Sequence, residues 1–173
     1  MTDLIKEDPA KLDTRNLEVI PLTEFETMGY TEHSVNVKQW RLNISGKVKK
    51  PLQLSYEHIL DLPAIERKVL LICPGYFSNH GLWRGVSIME LLNMTEAQAG
   101  ITHITLRGAD TYIEKIDRFA IEKIRANKVF LAYQVNGKTL PKKHGFPLRA
   151  VAEDNYGSSW TKYVYALEPE IVK

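Results

Sequence analysis

The chain has 173 residues, and its 23 lysines and arginines against 21 aspartates and glutamates leave a net charge of only +2. This length suits one domain, and the near-balanced charge excludes binding of nucleic acid through a broad basic surface. Its single cysteine, Cys73, excludes an internal disulfide framework and a zinc site built from several cysteines. No apolar run approaches the roughly 18 residues of a membrane span.

The amino-terminal part of the chain lacks sustained hydrophobic periodicity. We expect residues 1–37 to form an arm or strap and residues 38–173 to form a single domain. The polar start contains no apolar core of the kind found in signal peptides. The sequence therefore predicts a cytoplasmic location, or a periplasmic one if a targeting segment has been removed.

The first clear elements follow in the first half of the domain. Alternating apolar and polar residues over 40–45 predict a half-buried strand. Ser55 can cap a short helix that Pro63 would end. Residues 68–73 are mainly apolar, which predicts a buried strand. Turn-forming residues are frequent over 74–81, so we expect a loop there, with its histidine, His80, at the surface.

The second half adds more strands. Ser87 and Glu90 match a capping box, which predicts a helix from this point. Residues 129–135 predict a strand, and Asn136-Gly137 predicts a tight hairpin turn because both residues tolerate positive φ. Alternation over 163–167 predicts a last strand. Many short strands with few short helices indicate an α+β domain dominated by β structure.

Cys73 is the first candidate functional residue. It stands where the predicted buried strand meets a glycine-containing loop, a position from which side chains often reach a cleft. A thiolate there could act as a nucleophile or as a soft metal ligand. A lone free cysteine is more often a small buried apolar side chain, and the residues alone favour that interpretation.

A second candidate lies near the carboxyl end. His144 and Arg149 flank a Gly-Phe-Pro segment, and a glycine-containing loop with Lys162 follows at 156–162. An arginine fork, a lysine and loop N–H groups together suit a phosphate. A solvated basic hairpin end explains the same residues about as well.

These residues belong to a longer pattern. Residues 131–149 read LAY-x-x-NG-x-x-LP-x-x-HG-x-P-x-R, which closely resembles the molybdopterin-binding domain of the sulfite oxidase family. Cys73 and the Trp-Arg-Gly-Val segment at 83–86 resemble its metal-binding cysteine and the loop that follows. The resemblance covers roughly residues 38–168. It implies the fold of that family, a β-rich α+β domain with short helices around mixed sheets.

The resemblance also implies roles for individual residues. Cys73 would bind molybdenum through its sulfur, which makes it the implied catalytic residue and metal ligand. The residues implied to hold the molybdopterin and its phosphate are Asp110, His144, Arg149, Trp160, Thr161 and Lys162.

The implied function is that of a molybdenum-cofactor-dependent oxidoreductase. It would carry out a two-electron oxygen-atom transfer on a small-molecule substrate. Because the chain has no Cys-x-x-Cys-His haem motif, electrons would be exchanged with a separate partner. Ser78 stands where the family has an oxyanion-binding arginine, so sulfite is expected to be a poor substrate. The alternative is a cofactor-binding or interaction module without turnover.

Overall fold

The computed structural model describes residues 3–173. Within that range there are ten strands and three short α-helices, which confirms the β-rich α+β prediction. The strands are Arg41–Ile44 (β1), Leu52–Ser55 (β2), Ala64–Cys73 (β3), Phe77–Val86 (β4), His103–Ala109 (β5), Glu114–Ala120 (β6), Val129–Val135 (β7), Lys138–Thr139 (β8), Arg149–Ala152 (β9) and Val164–Glu170 (β10). The helices are Tyr56–Asp61 (α1), Ile88–Met94 (α2) and Ile121–Arg125 (α3).

The strands form two five-stranded sheets. The first has the order β2-β1-β10-β5-β6, with β1 and β10 parallel and the other neighbours antiparallel. The second has the order β3-β4-β7-β8, and β9 also pairs with β7. Its pairings are all antiparallel. Buried residues of both sheets pack in one hydrophobic cluster, which includes Leu42 and Ile104 from the first sheet and Trp83 and Phe130 from the second.

The hairpin of β3 and β4 places Cys73 at its tip. The two strands pair from Ala64 opposite Val86 to Cys73 opposite Phe77. Residues 74–76 alone make the turn, with the Tyr76 N–H donating to the Cys73 carbonyl at 3.0 Å. Cys73 therefore ends a long, fully paired strand, which fixes its backbone.

The predicted loop over 74–81 is wrong beyond residue 76. Residues 77–81 belong to β4, and His80 is only 3% exposed, with Nδ1 2.9 Å from the Glu18 carbonyl. Gly81 makes no turn, and a Cβ at this position would come within 2.8 Å of the Phe25 ring. The glycine thus serves close packing within a strand.

The two predicted helix starts have different outcomes. The Ser55 hydroxyl accepts from the His58 N–H at 3.1 Å, so the cap of α1 is confirmed. The capping box at Ser87 is wrong, although α2 begins there as predicted: the Ser87 hydroxyl instead donates to the Asn127 side-chain oxygen at 2.7 Å. A partner distant in sequence has taken the hydroxyl that the local motif would use.

The hairpin signal and the last strand are confirmed. Asn136 and Gly137 have φ values of 51° and 74° and join β7 to β8. The last strand is β10, whose register against β5 shifts between Val164 and Ala166. No helix among residues 3–173 is long and apolar enough to cross a membrane.

The segment before β1 contains two short 3-10 turns, Leu4–Lys6 and Leu22–Glu24. It packs against the sheets: Phe25 is 3% exposed and the Ile20 N–H donates to the His80 carbonyl at 3.0 Å. The division into an arm at 1–37 and a domain at 38–173 stays a prediction.

Candidate functional site

A cavity of about 370 Å³ lies between hairpins that belong to the two sheets. Its walls come from residues 26–30, the β3–β4 hairpin, the β5–β6 hairpin and residues 157–162, with Arg149 of β9 between them. Pockets that bind small molecules and cofactors have volumes of about 300–1,000 Å³. The cavity is therefore large enough for a small-molecule ligand.

Cys73 lines this cavity. Its half-buried thiol donates to the Met28 sulfur at 3.9 Å, and burial raises its pKa. Among the described residues, no group of three or more His, Cys, Asp or Glu side chains could hold a metal ion. A metal bound to Cys73 would therefore need further ligands from another molecule.

Arg149 supplies a buried positive charge on the same cavity. The guanidinium lies 5.4 Å from the ring centre of Trp83 and 5.6 Å from that of Trp160. It donates to the carbonyls of His144 at 2.8 Å and Trp160 at 3.2 Å, but its buried Nε has no partner among residues 3–173. Burial lowers the pKa of Arg149 to about 10, so it stays protonated at neutral pH. A buried cation with an unused donor is suited to an anion.

Lys162 adds a second cation. Its ammonium donates to the Thr27 hydroxyl at 2.6 Å and to the carbonyls of Met28 and Tyr30 at 3.1 and 3.2 Å. Burial and the neighbouring Arg149 lower the pKa of Lys162 to about 8. Lys162 therefore ties residues 27–30 to the cavity wall and contributes positive charge there.

The β5–β6 hairpin forms the wall next to residues 161–162. Asp110 lines the cavity, and its carboxylate accepts from the Thr111 N–H at 2.7 Å. Lys115 pairs with Asp117 at 3.1 Å, and the same carboxylate accepts a hydrogen bond from the Thr161 hydroxyl. The hairpin thus fixes Thr161, the neighbour of Lys162.

The cavity brings together six of the seven candidate residues, namely Cys73, Asp110, Arg149, Trp160, Thr161 and Lys162. The seventh, His144, contacts Arg149 but is not among the residues that line the cavity. Its side chain is 1% exposed, and burial, followed by Arg149, lowers its pKa to about 4. His144 is therefore neutral at pH 7 and reaches the site through its carbonyl, which accepts from Arg149.

Sequence reasoning missed two parts of the site. Residues 26–30 line it, although they lie in the predicted arm and carry no periodic pattern. Phe77 and Asn79 also line it, whereas Ser78 does not. Side chains alternate between the two faces of a strand, so a hairpin assignment for 77–81 would have found Asn79.

The donor set fits an anionic cofactor that brings its own metal ligands. Cys73 offers one soft sulfur, suited to a thiophilic metal. Arg149 and Lys162 offer positive charge, and the unused Arg149 Nε offers a donor for a phosphate. The fold and the site therefore define a cofactor-binding domain.

The comparison with known families identifies the kind of cofactor-binding domain. The family described as "Oxidoreductase molybdopterin binding domain" matches residues 28–170, and the chain belongs to this family. This confirms the resemblance found in the sequence, including the molybdopterin cofactor of the domain.

Individual proteins are also similar to this chain in sequence or fold. The chain is 29% identical over 140 residues to the protein-methionine-sulfoxide reductase catalytic subunit MsrP of Gluconobacter oxydans, covering 72% of this chain and 45% of that protein. It is 26% identical over 157 residues to nitrate reductase [NADH] 1 of Oryza sativa, covering 72% of this chain and 17% of that protein. The sulfane dehydrogenase SoxCD of Paracoccus pantotrophus has a similar fold, with a TM-score of 0.74 and 25% identity over 81% of this chain and 40% of that chain. The chain thus spans less than half the length of these three relatives.

Proposed function

We propose that the chain holds a molybdenum–molybdopterin cofactor in this cavity and acts as an oxidoreductase. The observation that carries the proposal is that the Cys73 thiol and the buried, incompletely bonded Arg149 line the same cavity. Cys73 would bind the metal, and Arg149 would donate to the anionic part of the cofactor. Lys162 would contribute charge, while Asp110, Trp160 and Thr161 would enclose the pterin.

The protein's part in the reaction is to bind, orient and shield. The cofactor, when bound, supplies a metal that exchanges two electrons and an oxygen atom with a substrate. The Arg149 guanidinium packs on Trp83 and Trp160 and the residue is only 3% exposed, so its charge acts in a water-poor environment where electrostatic interactions are strong. His144 orients Arg149 through its carbonyl, and being neutral it adds no competing positive charge.

The substrate we propose is a small molecule that gives up an oxygen atom. Two of the three relatives are named as reductases, one of methionine sulfoxide and one of nitrate, and the third as a dehydrogenase; the two reductases support the reductive direction that we propose. The electrons would come from a separate partner, since the chain has one cysteine and no haem motif. The cytoplasmic location expected from the sequence is part of this proposal and stays a prediction.

The test begins with the full chain produced in a host that makes molybdopterin, beside the same chain from a host that does not. Molybdenum and the released pterin are measured in both preparations. We expect close to one of each per chain from the first host, and neither from the second. Molybdenum at background level in the chain from the competent host would overturn the proposal.

Turnover is then measured with a reduced viologen dye as electron donor and dimethyl sulfoxide or nitrate as acceptor. Dye oxidation by the loaded chain, absent from the Cys73→Ser variant, would support the oxidoreductase. A loaded chain that oxidises no dye with either acceptor would contradict the proposed turnover and favour a cofactor-binding module.

A further inference from the structure

Residues 26–30 form a segment, here called the strap, that lines the cavity on the same side as Cys73. The Asn79 side chain makes two hydrogen bonds to Glu26, the first residue of the strap. It accepts from the Glu26 N–H at 3.1 Å and donates to the Glu26 carbonyl at 2.8 Å. Asn79 is 2% exposed, so these bonds are shielded from water. Lys162 holds the rest of the strap through its hydrogen bonds to Thr27, Met28 and Tyr30. The strap is therefore fixed along its length.

Met28 lies in the middle of the strap. Its sulfur is 3.9 Å from the Cys73 sulfur, and its side chain is 49% exposed. A molecule approaching the Cys73 sulfur from solvent on this side meets the Met28 thioether first. The hydrogen bond from Lys162 to the Met28 carbonyl fixes the Met28 backbone and so holds its sulfur beside Cys73.

We propose that Met28 is a specificity-determining residue, with Asn79 as the positioning residue that holds it. Met28 favours neutral substrates with apolar groups, such as sulfoxides, over hydrated oxyanions. The inference rests on the proposed function, since it concerns which oxygen donors reach the metal held at Cys73. It assigns the selectivity to a residue outside the cofactor-binding pattern of the sequence.

The physical reason is the chemistry of a thioether. Its sulfur is polarisable and packs well against methyl groups, but it donates no hydrogen bond. An oxyanion would lose water against this wall without a replacement donor, which is unfavourable. The nearby cations do not compensate for that loss. Lys115 is paired with Asp117, Lys162 donates to the strap, and Arg149, which packs on the two tryptophan rings, would donate to the bound cofactor.

The first test needs no turnover. Cys73 is the only cysteine in the sequence, so its alkylation by iodoacetamide in the full, cofactor-free chain can be followed by mass spectrometry without ambiguity. Met28→Ala should raise the alkylation rate by about tenfold, because exposure controls thiol reactivity. Met28→Leu, which keeps the bulk, should stay within about threefold of the wild type. Leu60→Ala, a truncation on α1 at a similarly exposed position, is the matched control.

Asn79→Ala separates the two roles. It keeps the Met28 side chain but removes the strap's two hydrogen bonds at Glu26 and leaves those from Lys162, so alkylation should accelerate less than in Met28→Ala while the thermal unfolding transition remains cooperative. An alkylation rate for Met28→Ala equal to that of the wild type would overturn the proposal, since Met28 would then not cover Cys73.

The second test measures selectivity in the cofactor-loaded chain. The ratio of kcat/KM for dimethyl sulfoxide to kcat/KM for chlorate should fall by about tenfold in Met28→Ala, mainly through changes in KM. In Met28→Leu the ratio should stay at the wild-type value. An unchanged ratio in Met28→Ala would refute the selectivity. A loaded wild-type chain without any turnover would overturn the proposed function and the selectivity together, whereas accelerated alkylation would still establish that Met28 covers Cys73.

Discussion

Arg149→Met should leave the stability of the empty protein nearly unchanged but weaken the loaded protein. Burial lowers the pKa of Arg149 from its usual value to about 10, and two to three pKa units correspond to roughly 3–4 kcal/mol against the charged form. Removing the charge recovers that amount. It also leaves the carbonyls of His144 and Trp160 without their donor, at about 1–3 kcal/mol each. These opposing effects nearly cancel, so we expect the free energy of unfolding of the empty chain to change by less than about 2 kcal/mol.

The loaded protein should respond differently. There Arg149 has an anion to bind, and a charge-assisted hydrogen bond contributes about 1.5–3 kcal/mol, which is roughly tenfold to over a hundredfold in affinity. Methionine fills similar space against the two tryptophan rings but cannot donate a hydrogen bond. The stabilisation that the cofactor confers should therefore shrink in Arg149→Met, although the empty chain remains folded.

The assay is thermal unfolding of each variant with and without the cofactor, combined with the molybdenum content of the purified protein. Arg149→Lys is the control: it keeps the charge but loses the planar fork, so it should fall between methionine and wild type. Wild-type molybdenum content and an undiminished cofactor-induced Tm shift in Arg149→Met would refute this reasoning. So would a loss of stability in the empty chain far above 2 kcal/mol, which would make Arg149 a structural residue.

Three further variants test the site. Cys73→Ser should leave the Tm of the empty chain within a few degrees of wild type and abolish turnover, because a hydroxyl is a far weaker ligand for a soft metal; turnover at the wild-type rate would return Cys73 to a packing role. The pKa of His144 falls from its usual value near 6.5 to about 4 on folding, so the unfolded chain binds the extra proton between those values. Stability should therefore decline as the pH drops from 6.5 to 4, by up to roughly 3 kcal/mol, and denaturant titrations should show a flatter curve for His144→Asn. A Cβ on Gly108 would overlap the Lys162 carbonyl oxygen and lie 2.6 Å from the Thr161 side chain; Gly108→Ala should thus lower both Tm and molybdenum content, and unchanged values of both would show that this contact yields.

Features with a local or repetitive signal were predictable from the sequence. The Asn136-Gly137 turn needs positive φ at both residues, a requirement that sequence displays directly. The second half of β3 is an apolar run that ends at Cys73, and the position of Cys73 at the edge of a cavity follows from where that run stops. Candidate residues far apart in sequence, such as Cys73 and Lys162, were grouped by a long motif and not by periodicity.

The strap had no such signal. Its position depends on hydrogen bonds from Asn79 and Lys162, which lie 53 and more than 130 residues away. Nothing in the local pattern of residues 26–30 records partners at that distance. The capping box failed for the same reason, since the Ser87 hydroxyl donates to Asn127, 40 residues further along. Local rules state what a side chain can do, and the tertiary fold decides which partner it finds.

Ser78 does not explain poor binding of sulfite. It pairs opposite Ile72 in the β3–β4 hairpin, and its neighbours Phe77 and Asn79 line the cavity whereas Ser78 does not. An arginine introduced at 78 would lie on the other face of the strand and would supply no fork to a substrate at Cys73. Discrimination against oxyanions must then come from groups that do line the cavity. Met28, which contacts the Cys73 sulfur and donates no hydrogen bond, meets that requirement, whereas Lys115 is paired with Asp117.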